Sequence, residues 1–249
     1  MRDVLGRKIA RVTSLKPSTA PMKFDAVILD LFGTLVDDFG SSIGSTNTDL
    51  AISLEVPSEP FAKIWRETSE MRTNGTFQTV EAGMEYVCNA IGSPVTAQQM
   101  KRAVEMRLQQ IERGLKPKPD AITTLSKLKD MGYKIGLLSN CSIEIPILWP
   151  ETEFAPLVDS AIFSSRERLK KPDLRIYSLA CDRLGVPPED CLYVADGENF
   201  ELAAAAKVGL HPVLIRNPAS QKRSELFKEA NEWQGDSIES LAEVLQLLR

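Results

Sequence analysis

Residues 26–35 read Ala26-Val-Ile-Leu29-Asp30-Leu-Phe32-Gly33-Thr34-Leu35. A short, unbroken apolar run of this kind suits a strand buried on both faces, the situation in a parallel sheet. It ends in a carboxylate followed by a Gly-Thr turn, and an apolar run seldom ends that way unless the charge has a partner. Outward from this stretch the pattern recurs at 133–138, 161–163, 191–194 and 213–215. Helical segments lie between. Residues 172–184 place Leu174, Tyr177, Cys181 and Leu184 on one face, with Pro172 in the first turn and Gly185 just past the end. A second segment spans 200–208 and stops at Gly209, and Asp236-Ser-Ile-Glu239 reads as a capping box opening the last helix. Strands alternating with helices imply right-handed βαβ units. The expected fold class is α/β: a Rossmann-like three-layer core with a parallel sheet, plus a helical cap domain.

The cap is the interval 38–117, where only helical periodicity appears, near 46–55, 58–73, 77–91 and 96–113, punctuated by Pro57, Gly75, Gly92, Pro94 and Gly114. The expected organisation is an N-terminal extension over 1–23, disordered; an α/β hydrolase core over 24–37 and 118–249; and the cap over 38–117, lying on the carboxyl edge of the sheet. Gly40 to Ser45 and Gly114 to Pro119 are the expected hinges, closing the cap to exclude water.

Composition narrows the function. The 249 residues carry 30 Lys+Arg against 34 Asp+Glu, a net charge of -4, with 43% hydrophobic residues, as in a soluble globular protein. That balance gives no general attraction to nucleic acid or anionic lipid, and no window approaches the roughly 20 apolar residues of a membrane span. The basic start, with Arg2, Arg7, Lys8, Arg11, Lys16 and Lys23, also has the look of an organelle transit segment. Against that, Cys88, Cys141, Cys181 and Cys191 are scattered, without CxxC spacing, and read as buried thiols of a reducing, cytoplasmic setting. His211 is the single histidine and sits at the start of an apolar run. Ser-His-Asp and Cys-His chemistry is therefore disfavoured, leaving carboxylates, lysine and hydroxyls.

In open α/β sheets ligands bind beyond the carboxyl ends of the strands. The residues ending each run bring Asp30, Asp196 and Glu201 beside Lys171, Thr34 and Ser139. Three adjacent carboxylates repel one another unless a hard divalent cation such as Mg²⁺ sits among them and a lysine adds positive charge. The same set suits a phosphate, and an aspartate beside it can attack as a nucleophile. The expected partner is a small-molecule substrate. Trp65, Trp149 and Trp233 read as packing residues, and Arg66, Arg72, Arg102, Arg107 and Arg113 as a mostly solvated helix face from which one fork reaches a substrate anion.

The order of these motifs, from Asp30-Leu-Phe-Gly-Thr-Leu35 through Ser139 and Lys171 to Asp196 with Glu201, resembles the haloacid dehalogenase superfamily over residues 24 to about 216. The resemblance implies that Asp30 is the nucleophile forming a covalent aspartyl intermediate. It implies that Asp196, Asp30 and the backbone carbonyl of Phe32 ligate Mg²⁺, with Glu201 supporting the metal shell. Thr34, Ser139 and Lys171 would hold the transferring group, Lys171 would help ionise Asp30, and Asn140 would contact substrate.

Phe32 departs from the phosphatase pattern, which has a second aspartate there as general acid and base; losing such a group typically removes about 10²–10⁴ in rate. An aromatic residue at that place resembles the 2-haloacid dehalogenases of the superfamily, which displace halide without a metal, and Tyr177, six residues after Lys171, fits that branch. Asp196 does not, since those enzymes carry a neutral residue there. Three readings stay open: Mg²⁺-dependent hydrolysis of a small phosphate ester, metal-independent halide displacement from a 2-haloacid, and a weakly active or non-catalytic binding member.

Overall fold

The apolar run 26–29 forms the central strand of a six-stranded, all-parallel sheet of order β3-β2-β1-β4-β5-β6. In this computed structural model, which describes residues 23–37, 43–216 and 225–248, the strands are β1 (Ala26–Leu29), β2 (Lys134–Ser139), β3 (Ser160–Phe163), β4 (Cys191–Ala195), β5 (His211–Ile215) and β6 (Ser237–Ile238). The expected extension, apart from Lys23, and the hinge residues 40–42 lie outside the described residues. Val27 and Leu29 point to one face of the sheet and Ala26 and Ile28 to the other, all fully buried. This explains why the strand reads as continuous hydrophobicity; burying each large side chain contributes about 1.5–3 kcal/mol.

Helices cover both faces. Between β1 and β2 the chain forms α1 (Ile43–Leu54), α2 (Ser58–Glu67), α3 (Ser69–Thr73), α4 (Val80–Ala90) and α5 (Ala97–Gly114), followed by α6 (Ala121–Asp130). Later come α7 (Glu144–Leu148), α8 (Ser164–Glu167), α9 (Leu174–Leu184), α10 (Glu201–Val208), α11 (Lys228–Glu232) and α12 (Val244–Leu247). Helix α6 and the last turns pack on one face of the sheet, α9 and α10 on the other. The insert α1–α5 has its own apolar cluster, including Leu50, Phe61, Trp65, Met84 and Met100. Among the described residues, polar ties join it to the core at Lys170 with Glu70 at 2.5 Å, Ser164 Oγ donating to the Thr73 carbonyl at 2.6 Å, and Arg107 with Glu144 at 2.7 Å.

Two local readings change. Asp236 to Glu239 does not open a helix: Ser237–Ile238 is the edge strand β6, held because Leu214 N–H donates to the Asp236 carbonyl and Arg216 N–H to that of Ile238. Pairing with β5 outcompetes the local capping geometry. A true capping box instead opens α5, where Thr96 and Gln99 satisfy each other's backbone N–H groups. Among the described residues no helix is long and apolar enough to cross a membrane, and all four cysteines are buried free thiols.

Candidate active site

Strand order reverses on either side of β1, so the crevice for a ligand opens between the carboxyl ends of β1 and β4. Asp30 follows β1 and Asp196 follows β4. The Asp30 N–H donates to the Val194 carbonyl at 3.0 Å, extending the ladder by one residue and fixing where the carboxylate emerges. The next turn, closed by Leu35 N–H to the Leu31 carbonyl at 2.8 Å, requires glycine at position 33. Gly33 has φ +73°, and a Cβ there would lie 2.0 Å from Oδ2 of Asp196.

Lys171 is the centre of the charge network. Its ammonium donates to Asp30 Oδ1 at 2.6 Å, to Glu201 Oε2 at 2.5 Å and to the Tyr193 hydroxyl at 3.1 Å. Burial works against its charged form, but Asp30 and Glu201 outweigh it and raise its pKa. Glu201 is fully engaged: Oε2 also accepts from Tyr193 at 2.7 Å, while Oε1 accepts from the N–H groups of Gly197 and Glu198 at 3.1 and 3.2 Å. Those bonds hold a loop in which Gly197, Asn199 and Phe200 all have positive φ, at 80°, 54° and 59°. The left-handed conformation costs a side-chain-bearing residue roughly 1–2 kcal/mol, so the loop keeps its shape because the carboxylate ties it. Tyr177 adds a further tie, donating to the Glu201 carbonyl at 3.0 Å.

Asp196 has no such support. Its side chain is buried, and no hydrogen bond or ion pair reaches it among the described residues. Burial first, then the charges of Glu201 and Asp30, push its carboxyl up to about 9. Burial likewise drives Asp30 up to about 7, opposed by Lys171 and reinforced by Glu201. Ligand atoms of Asp30, Asp196 and Glu201 all fall within 4.8 Å of one another. The hydroxyl of Thr34 is fully buried without a hydrogen-bond partner, and that of Ser139, equally buried, has only the Cys141 thiol beside it. Buried polar atoms are normally satisfied, so the Thr34 hydroxyl, four residues after Asp30, stands out.

The structure thus brings Asp30, Asp196, Glu201 and Lys171 together. Asn140 plays a local part: its carboxamide accepts from Lys171 N–H at 2.8 Å and donates to the Lys171 carbonyl at 2.9 Å, locking the lysine loop to the end of β2. It also lines the cleft between insert and core, as does Phe32. Sequence reading passed over three residues. Tyr193 was hidden inside an apolar strand run. Lys118 donates to the Gly33 carbonyl; burial lowers its pKa, and Asp37 and Asp196 oppose that shift. Glu144, buried under the insert, holds Arg107. A carboxylate one residue into a short helix carries no signal of that partnership. His211, as expected, is structural, packing edge-on against Phe24 at 4.9 Å.

A buried aspartate held by lysine at a strand end has the elements of a nucleophile. A family model described as haloacid dehalogenase-like hydrolase matches residues 24–209. The chain belongs to this family of hydrolases and is an enzyme. The (S)-2-haloacid dehalogenase 4A of Burkholderia cepacia is 33% identical over 135 residues, covering 53% of this chain and 58% of that one. The (S)-2-haloacid dehalogenase of Pseudomonas fluorescens is 27% identical over 232 residues, covering 87% and 93%. A glyceraldehyde 3-phosphate phosphatase of Methanopyrus kandleri is 32% identical over 103 residues, covering 41% and 44%.

Proposed function

We propose that this hydrolase cleaves a small phosphate ester in a Mg²⁺-dependent reaction through an aspartyl phosphate on Asp30. The observation that carries the reading is the unpaired, buried Asp196 carboxylate beside Asp30, whose charge repels its neighbours unless a cation lies between them. The donor set is all oxygen, as Mg²⁺ prefers. Asp30, Asp196 and the Phe32 carbonyl would hold the ion. Glu201, its oxygens occupied by Lys171, Tyr193 and two backbone N–H groups, supports the shell by fixing Lys171 and the Asp196 loop. Mg²⁺ supplies neutralisation of charge on the phosphoryl oxygens.

The rest of the chemistry belongs to the protein. Thr34 and Ser139 donate their hydroxyls, and Lys171 its ammonium, to the phosphoryl oxygens. A carboxylate oxygen of Asp30 attacks phosphorus, and the bond to the ester oxygen breaks. Water then attacks the aspartyl phosphate, releasing inorganic phosphate and returning Asp30. Phe32 protonates nothing, so the leaving oxygen takes its proton from solvent, and esters of acidic alcohols are favoured. The insert acts as a cap over this site. The four buried free thiols favour a reducing, cytoplasmic setting.

A second reading has its own support. Phe32, the Tyr177 tie to Glu201 and the dehalogenase relatives favour displacement of halide from a 2-haloacid by Asp30. On that reading Asp196 stays protonated and behaves as a neutral residue. Phosphate release from a panel of monoesters, with Mg²⁺ or EDTA, is the deciding assay, alongside halide release from 2-haloacids. Phosphate release dependent on both Mg²⁺ and Asp30, abolished in Asp30→Asn, is expected; halide release untouched by EDTA would replace the reading.

A further inference from the structure

The cleft above Phe32 and Asn140 has a volume of about 710 Å³, and its far wall belongs to the insert. Among the described residues, that wall contains a cation with no direct ion pair. Arg72, in α3, lays its guanidinium over the Trp65 ring at 4.1 Å, and its Nη1 donates to the Trp65 carbonyl at 2.5 Å and to Thr68 Oγ1 at 3.0 Å. Both partners are neutral. No carboxylate lies within ion-pair distance of Arg72 among the described residues, because the nearby Glu144 is taken by Arg107 at 2.7 Å. Burial first, then the like charge of Arg107, lowers the Arg72 pKa to about 10. The charge of Glu144 offsets this only in part, so the guanidinium loses solvent without a carboxylate in direct contact.

Asn47, in α1, lines the same cleft and is 1% exposed, yet neither its amide nitrogen nor its oxygen has a hydrogen-bond partner. Gln110, in α5, adds an unpaired amide oxygen to the wall. A side chain as buried as Asn47 is rarely left unsatisfied at both ends. Arg72 offers a planar fork, and a carboxylate matches that fork in shape and charge.

We propose that Arg72 and Asn47 form an anion subsite of the insert, and that the substrate carries a carboxylate at the end remote from the group that reacts with Asp30. This rests on the reading above for the reacting group but not for the subsite. It assigns the substrate class: a small ester acid whose reacting end lies over Asp30 and whose carboxylate is read by Arg72. Arg107, which lines the same cleft 5.7 Å from the Trp65 ring, is already paired with Glu144 at 2.7 Å and so is the less available of the two cations.

Calorimetric titration of the Mg²⁺-loaded protein with 3-phosphonopropanoate and with propylphosphonate, which lacks the carboxylate, tests the subsite. Charge-assisted hydrogen bonds of this kind correspond to about 10- to 100-fold in affinity, so wild type should prefer the first probe by at least about tenfold. Arg72→Met should bring the two affinities within about threefold of each other, and Arg72→Lys should recover only part of the preference. Asn47→Leu, which removes only unsatisfied polar atoms and so should fold at least as stably, should also narrow the gap. Equal binding of both probes by wild type, or a preference unchanged in Arg72→Met and Asn47→Leu, would overturn the subsite. If neither phosphonate binds, the phosphoryl reading fails instead. The subsite is then decided by halide release from 2-chloropentanedioate against 2-chloropentanoate, where loss of the diacid preference in Arg72→Met supports it and absence of any preference refutes it.

Discussion

Replacing Asp196 by asparagine should make the metal-free protein more stable and leave it unable to turn over a phosphate ester. Asp196 titrates near 9 in the fold against 3.8 for an ordinary aspartate. Across the window between those values the folded chain holds a proton that the unfolded chain has released. Stability therefore falls as pH rises, by about 1.4 kcal/mol per pH unit for one proton. Between pH 5 and pH 8 the wild type in EDTA should lose about 4 kcal/mol through this residue, and Asp196→Asn, which has no proton to lose there, should be spared that loss. Saturating Mg²⁺ should restore wild type at pH 8, by about 2.7 kcal/mol at a hundredfold excess over its dissociation constant, and should do nothing for the variant. Urea unfolding at the two pH values, with EDTA or Mg²⁺, gives the four comparisons for each protein. Asp30, raised to about 7, contributes a fall of the same sign in both proteins, so the refuting result is an equal fall of wild type and variant in EDTA, which would mean that the Asp196 carboxylate is satisfied by the protein itself.

Gly33→Ala should abolish activity and destabilise the fold, since its Cβ would stand 2.0 Å from Asp196 Oδ2 on a backbone at φ +73°; melting temperature and turnover check it. Phe32→Asp installs a proton donor where the leaving oxygen departs and should raise phosphate-ester turnover by about 10²–10⁴ for esters of basic alcohols, with little change for p-nitrophenyl phosphate. Tyr193→Phe removes a donor to Glu201 Oε2 and an acceptor for Lys171. It should cost about 1–3 kcal/mol in stability and lower kcat several-fold with KM little changed, as steady-state kinetics would show.

Much of the fold was legible because its strands are buried on both faces and announce themselves as apolar runs. The interval after β1 announced itself by the absence of such runs. The two-residue strand β6 was not legible, since a pair of residues has no periodicity and its existence depends on β5 being there to pair with. In the site, the strand-end carboxylates and Lys171 stood out as polar residues closing apolar runs. Tyr193 did not, because its ring satisfies the strand pattern while only its hydroxyl serves the site. The insert's arginines were legible as a group but not as individuals. What separates Arg72 from Arg107 is which of them Glu144 neutralises, and that follows from tertiary packing alone.

The conflict between Phe32 and Asp196 reduces to the state of one carboxyl group. Ionised, Asp196 places its charge beside Asp30 and Glu201, and Lys171, already bonded to both of those, makes no ion pair with it; on the proposed reading a bound cation offsets that repulsion. Protonated, as burial favours below about pH 9, it is a neutral neighbour of a lysine-held nucleophile, which is the environment halide displacement requires. The same side chains therefore support two displacement reactions on Asp30 that differ in the occupant of a single place. On the proposed reading Mg²⁺ and a proton compete for it, so raising pH at fixed Mg²⁺ should favour the phosphoryl reaction through Asp196, while removing the ion should favour the neutral state. A chain that responds to neither variable has Asp196 fixed in one state.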